Sequence, residues 1–252
     1  MSKPKLDLLP VELLYEIQLF ALSRYLPLAS RKLHQIFKSA PPSYVAEYIF
    51  LRTSTKPGHV YVKALRYPLC SLNVLQFIRI LAEKHSVSLT PTELPRRLFT
   101  NLVPRKDGVP WNEQDHPLPF IRGLLAMGFN VNANSDGGYG LVKAVQSGFA
   151  PLVRFLLDND ASPGYKDDLA IRVAIRQKNL SMVKLLIERT DRDGSGSRSV
   201  NNRNKRRRLE DRVKVTKDML KIAVKCKAQD IVEYLMNEKG CVPDMQTLYL
   251  MR

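Results

Sequence analysis

The sequence predicts an all-α chain, with a stack of repeated helix pairs standing behind a separate N-terminal helical module. The first observation is a set of columns. Ala144, Ala174 and Ala223 are each followed nine residues later by Val153, Val183 and Val232, and twelve residues later by Leu156, Leu186 and Leu235. The columns extend to Leu141, Ile171 and Leu220, to Val145, Ile175 and Val224, and to Leu152, Met182 and Ile231. A fixed period of this kind marks supersecondary units that bury their apolar faces only against neighbours. The second observation is that no column extends into the first fifty residues, where apolar residues still fall at helical spacing. The third is the period itself, 30 and then 49 residues, which implies a 19-residue insertion after Ile187.

Taken in chain order, the first module spans residues 1–52. In LDLLPVELLYEIQLFAL, Pro10 sits where the first turn of a helix tolerates proline, and Glu12 and Glu16 lie near its positive end. Leu13, Leu14 and Ile17 are expected on one face. A second helix is expected after Pro27, from Leu28, Leu33, Ile36 and Phe37. Residues 60–132 are expected to hold degenerate helical units. An inner helix near Ala64 would precede an outer helix over Asn73 to His85, and another outer helix would cover Phe120 to Asn132. The first half of that last unit, around Asp107 to Trp111, is weak. Residues 133–252 carry the best repeats, with an inner helix from about Leu169 to Arg176 and an outer one from about Leu180 to Glu188. Helices this short are marginal alone, so stacking must hold them. Gly137 to Gly140 is expected to be a hairpin tip, and Met245 to Met251 a rudimentary closing helix.

The stretch GFAPLVRFLLDNDA, Gly148 to Ala161, resembles the outer half of the ankyrin repeat, and KNLSMVKLLI and KAQDIVEYLM keep its apolar columns with lysine in place of the glycine. The resemblance implies an ankyrin-repeat helical solenoid. The family's Thr-Pro-Leu-His tetrapeptide is replaced by Tyr139-Gly140-Leu141-Val142 and Leu169-Ala170-Ile171-Arg172, so the hairpins are expected to shrink to turns. Leu9 to Leu14 (LPVELL) and Ala29 to Lys32 (ASRK) resemble the F-box, a three-helix module. The KSAPPSYVAEYIFLR stretch after them looks like sequences that accompany the F-box in divergent fungal proteins with ankyrin repeats. The F-box resemblance implies docking on the adaptor of a cullin-RING ubiquitin ligase, with Leu8, Leu9, Pro10, Leu13, Leu14 and Ile17 as the docking face. The same residues would form the module's own core, and a plain helical cap on the first repeat is the other reading.

Charge is the second strong signal, since 40 basic residues oppose 24 acidic ones for a net +16. Residues 191–214 contribute nine basic and four acidic residues among Gly, Ser and Asn, which reads as a disordered basic insertion. Its run Lys205-Arg206-Arg207-Arg208 is of the kind read by nuclear import receptors, and points to a nuclear or nucleocytoplasmic protein. Flanking the alanines, Lys143, Gln146, Arg172, Arg176, Lys221 and Lys225 are expected to form a basic strip for an acidic protein target. Nucleic acid would satisfy the same charges, but the strip has no interleaved aromatics for base stacking.

No catalytic function is expected. His34, His59, His85 and His116 are scattered without metal-ligand spacing, and no Gly-x-Ser-x-Gly, phosphate loop or dinucleotide fingerprint occurs. No cofactor or metal is implied. Cys70, Cys226 and Cys241 are odd in number and lack Cys-x-x-Cys spacing, and the last two are expected to be buried thiols. No apolar run approaches the roughly 18 residues of a membrane span, and no signal peptide is expected. Two functions remain: a substrate-receptor subunit of a ubiquitin ligase, and a nuclear ankyrin-repeat scaffold or regulator without that role.

Overall fold

The computed structural model describes residues 6–53, 60–85, 92–105, 108–189 and 211–251. The chain is all-α, apart from a parallel pairing of β1 (Thr92–Glu93) with β2 (Val131–Asn132). It divides into two compact units, one formed by residues 1–98 and 119–132, the other by residues 99–118 and 133–252.

The first unit begins with α1 (Val11–Ala21), and Pro10 stands just before it at the cap position. Helix α2 (Arg31–Lys38) starts at Ser30, whose hydroxyl accepts the Leu33 N–H at 3.2 Å. The expected second helix is therefore shorter at its start, and Leu28 belongs to a 3₁₀ turn over Leu26–Leu28. Leu14, Leu33 and Phe37 make a small core, closed by Tyr15, Leu26, Ile36 and Tyr44. Helix α3 (Pro42–Thr53) holds α1 through residues four apart, Tyr44, Tyr48 and Arg52. Tyr44 donates to Gln18 Oε1 at 2.6 Å, Tyr48 to the Ser23 carbonyl at 3.2 Å, and Arg52 to the Leu22 carbonyl at 3.1 Å. These bonds satisfy the buried Gln18 and the carbonyls where α1 ends.

Helix α3 also packs along α4 (Val60–Ala64) and α5 (Leu72–Lys84), so residues 6–53 share one folded unit with residues 60–84. Helix α6 (Leu118–Ala126) is shorter than expected. Gly128 has φ +82 there, which ends the helix and leaves Val131 and Asn132 free to pair as β2.

The second unit stacks α7 (Ser135–Gln146), α9 (Tyr165–Arg176) and α11 (Lys217–Lys225) as inner helices. Helices α8 (Ala150–Asp158), α10 (Leu180–Ile187) and α12 (Gln229–Glu233) return beside them, α12 continuing as one π-helical turn over Tyr234–Glu238. Every apolar column is buried except Val224, which is half-buried. The alanines also cap. Each offers its carbonyl to the N–H five residues on: Phe149 to Ala144 at 2.9 Å, Asn179 to Ala174 and Ala228 to Ala223 at 3.1 Å. The residue before each donor, Gly148, Lys178 and Lys227, is left-handed at φ 72, 54 and 53. This is the Schellman ending, and the two lysines occupy a position that favours glycine.

Gly137 to Gly140 is not a hairpin tip. Asp136, Gly137 and Gly138 form a left-handed turn within the start of α7, and Lys166 to Asp168 repeat it within the start of α9. Gly140 is buried inside α7, where an added Cβ would lie 2.8 Å from Phe99 Cζ. The segment around Trp111 is not a helix either. Trp111 stacks on Phe149 at 4.6 Å, donates its Nε1–H to the Ser147 carbonyl at 2.9 Å, and carries Arg105 over its ring. Residues 99–105 and 108–118 therefore cover the first repeat in place of an inner helix. Asn134 bridges the turns. It donates to the Asp160 carbonyl at 2.8 Å and accepts the Ser162 N–H at 2.7 Å. Helix α13 (Met245–Met251) packs on α11.

Of the thiols, Cys70 is the buried one, while Cys226 and Cys241 are half-exposed because each lies just past a helix end. Most of the insertion expected to be disordered lies outside the described residues. Its last four residues, Asp211 to Lys214, are described, and the first two are held: the Arg212 N–H donates to the Ile187 carbonyl at 2.7 Å, and Lys239 reaches Asp211 at 2.8 Å and Glu188 at 3.2 Å. Tyr234 donates to Glu188 at 2.9 Å, and burial together with that carboxylate pushes its phenol pKa up.

Candidate functional site

Two surfaces collect the residues expected to bind partners. On α1 the helical period separates neighbours: Leu14 and Gln18 turn into the core, whereas Leu13, Ile17 and Phe20 stand at spacing i, i+4, i+7 on another face. Leu14 is fully buried, Leu13 is 45% exposed and Phe20 is 89% exposed. The expectation that Leu13, Leu14 and Ile17 share a face is thus corrected, and Leu14 cannot reach a partner without leaving the core. Leu8, at 76% exposure, and Leu9 and Pro10 precede this stripe in the chain; Leu28, 68% exposed, is a further exposed leucine of the same unit. Phe20 and Leu28 were not among the expected docking residues. Phe20 was legible in the i, i+4, i+7 spacing from Leu13.

The second surface lies on the inner helices. Gln146, Arg176 and Lys225 stand two residues after the three alanines, and all three are exposed. Lys143, Arg172 and Lys221 are half-buried, and Lys221 donates to Gln246 of α13 at 2.6 Å. Arg172 acts on Asp168, whose carboxyl burial pushes up in pKa while the guanidinium pulls it back. Residues 139–146, 169–176 and 217–225 carry six basic side chains and one acidic, Asp218. The returning helices, by contrast, carry Asp158, Asp230, Glu233 and Glu238 against Arg154 and Lys184.

Comparison with protein families matches residues 141–247 to ankyrin repeats, in three copies. These residues are three ankyrin repeats. No curated protein and no solved structure matches the chain significantly. Ankyrin repeats indicate a protein–protein interaction function and are typically non-catalytic modules. The match begins at Leu141 and does not include residues 60–132. Among the described residues no group of His, Cys, Asp and Glu is placed to hold a metal, and no helix is long and apolar enough to cross a membrane. The basic run Lys205, Arg206, Arg207 and Arg208 lies outside the described residues.

Proposed function

We propose that this chain is a substrate-receptor subunit of a cullin-RING ubiquitin ligase, with F-box-like N-terminal helices on the ligase adaptor and ankyrin repeats on the protein to be ubiquitinated. One observation carries the reading. Helix α1 keeps its core contacts on Leu14 and Gln18 and leaves Leu13, Ile17 and Phe20 as a separate apolar stripe, with Leu8 and Leu9 before it. A helix used only as a cap has no need of a second apolar face, whereas a helix that enters a groove presents one. Catalysis then belongs to other subunits.

The test is co-purification with the cullin adaptor, for the wild type and for a variant with Leu9→Glu and Leu13→Glu whose far-UV circular dichroism is unchanged. The wild type forms a complex and the variant does not. A wild-type chain that never binds the adaptor refutes the reading. The basic run at Lys205 to Arg208 fits recognition by a nuclear import receptor, so we place the protein in the nucleus or in both compartments. Changing the run to alanine moves a fluorescent fusion out of the nucleus, and an unmoved fusion removes this assignment.

A further inference from the structure

The basic strip has a geometry that specifies more than a charge. Adjacent packed helices lie about 8–10 Å apart, so Gln146, Arg176 and Lys225, at the same position of three successive inner helices, form a row with that spacing. A polyproline II chain is extended, with three residues per turn and a rise of about 3.1 Å per residue, so every third residue of such a chain laid across the helices returns to the same face and meets the next member of the row. Three cations of the second unit are engaged in ion pairs: Lys184 with Glu238 at 2.8 Å, Lys239 with Asp211 and Glu188, and Arg105 with Asp115 at 2.7 Å. Among the described residues Lys143, Arg176 and Lys225 make no ion pair.

We propose that the inner helices bind an extended acidic segment of the partner protein, with carboxylates at every third residue, seated on Arg176 and Lys225 and hydrogen-bonded by Gln146. Arg172 and Lys221, one turn earlier, supply a second row for backbone carbonyls or further carboxylates. Single-stranded nucleic acid is the competing polyanion, but Leu141–Gln146, Leu169–Arg176 and Lys217–Lys225 contain no aromatic residue on which bases would stack. The inference rests on the repeats holding the partner and is independent of the adaptor, since Leu9→Glu with Leu13→Glu leaves it untouched.

The test is fluorescence anisotropy of the full chain with a labelled peptide of about twelve residues bearing Glu at every third position. An isomer with the same glutamates contiguous, and an oligonucleotide of about twelve nucleotides, serve as comparison probes. Arg176→Glu with Lys225→Glu weakens the spaced peptide by about tenfold or more, at about 50 mM salt. The milder Arg176→Gln weakens it less, and Arg154→Glu, on the exposed face of α8, changes affinity by less than about twofold. The contiguous isomer binds more weakly than the spaced peptide. Equal loss with Arg154→Glu, equal affinity for both peptides, no binding of the spaced peptide, or tighter binding of the oligonucleotide through the same two residues would each overturn the proposal.

Discussion

Leu13 and Leu14 are chemically identical neighbours with opposite surroundings, and replacing each by alanine measures whether α1 has two faces. Leu14 is fully buried against Leu33 and Phe37, so Leu14→Ala removes core contacts and leaves a cavity, at a cost of about 2–5 kcal/mol. Leu13 is 45% exposed, so its truncation forfeits about half of the roughly 1.5–3 kcal/mol of full burial, and alanine returns part of that through helix propensity. The expected cost is about 1 kcal/mol or less. Hydrogen exchange of α2 peptides, read by mass spectrometry, reports the local opening free energy of this core. Leu14→Ala should accelerate exchange across Arg31–Lys38 by about 30-fold or more, and Leu13→Ala by about fivefold or less. Adaptor binding should follow the reverse order, lost with Leu13→Glu and kept by Leu14→Ala at temperatures where α2 remains protected. Equal acceleration by the two alanine substitutions would mean that the stripe is core, and would refute the division of roles.

Three further outcomes are expected. Ala174→Leu places a larger side chain in the fully buried contact between inner helices and should cost about 1–3 kcal/mol, lowering the urea midpoint read from the fluorescence of Trp111, the single tryptophan of the chain. Lys178→Gly and Lys227→Gly relieve left-handed backbone at helix ends, and each should add up to about 1 kcal/mol of stability, less what glycine loses in unfolded-chain entropy, and raise that midpoint accordingly. Burial pushes the Cys70 thiol up to about 12, so at pH 8 a thiol reagent should label Cys226 and Cys241 in the folded chain and Cys70 only after denaturation, by intact mass. Because the folded state holds Cys70 protonated above its unfolded value near 9, its contribution is intact below pH 9 and is lost as pH rises from there towards 12.

The repeat was legible because its columns answer to burial, which recurs with the stack: Ala174, Val183 and Leu186 are buried for the same reason as Ala144, Val153 and Leu156. The N-terminal stripe was half legible. Periodicity grouped the leucines on α1, but only the placement of α2 and α3 decides that Leu14 faces Leu33 while Leu13 does not. The left-handed turn at Asp136–Gly138 escaped because Gly-rich tetrapeptides serve hairpins and helix entries alike. Residues 99–118 escaped for another reason. Their use as a cover depends on one long-range stack, Trp111 on Phe149, and a single aromatic in a proline-rich stretch carries no period. Of the expected partner residues, Gln146, Arg176 and Lys225 are exposed while Lys143, Arg172 and Lys221 are half-buried, a difference that packing decides and the repeat columns do not carry.

The clasp between the second and third repeats has a practical meaning. The Ile187 carbonyl and the Arg212 N–H meet at 2.7 Å, Arg212 also reaches the Glu188 carbonyl, and Lys239 spans Glu188 and Asp211. Residues 187–189 and 211–212, on either side of the segment outside the described residues, meet at one point, so the repeats are joined there by contacts other than the covalent thread between them. That point is a natural seam. New termini opened between Arg189 and Asp211, or a foreign domain spliced there, would leave both flanking repeats clasped, which makes the seam the place to split this protein into two halves that find each other again.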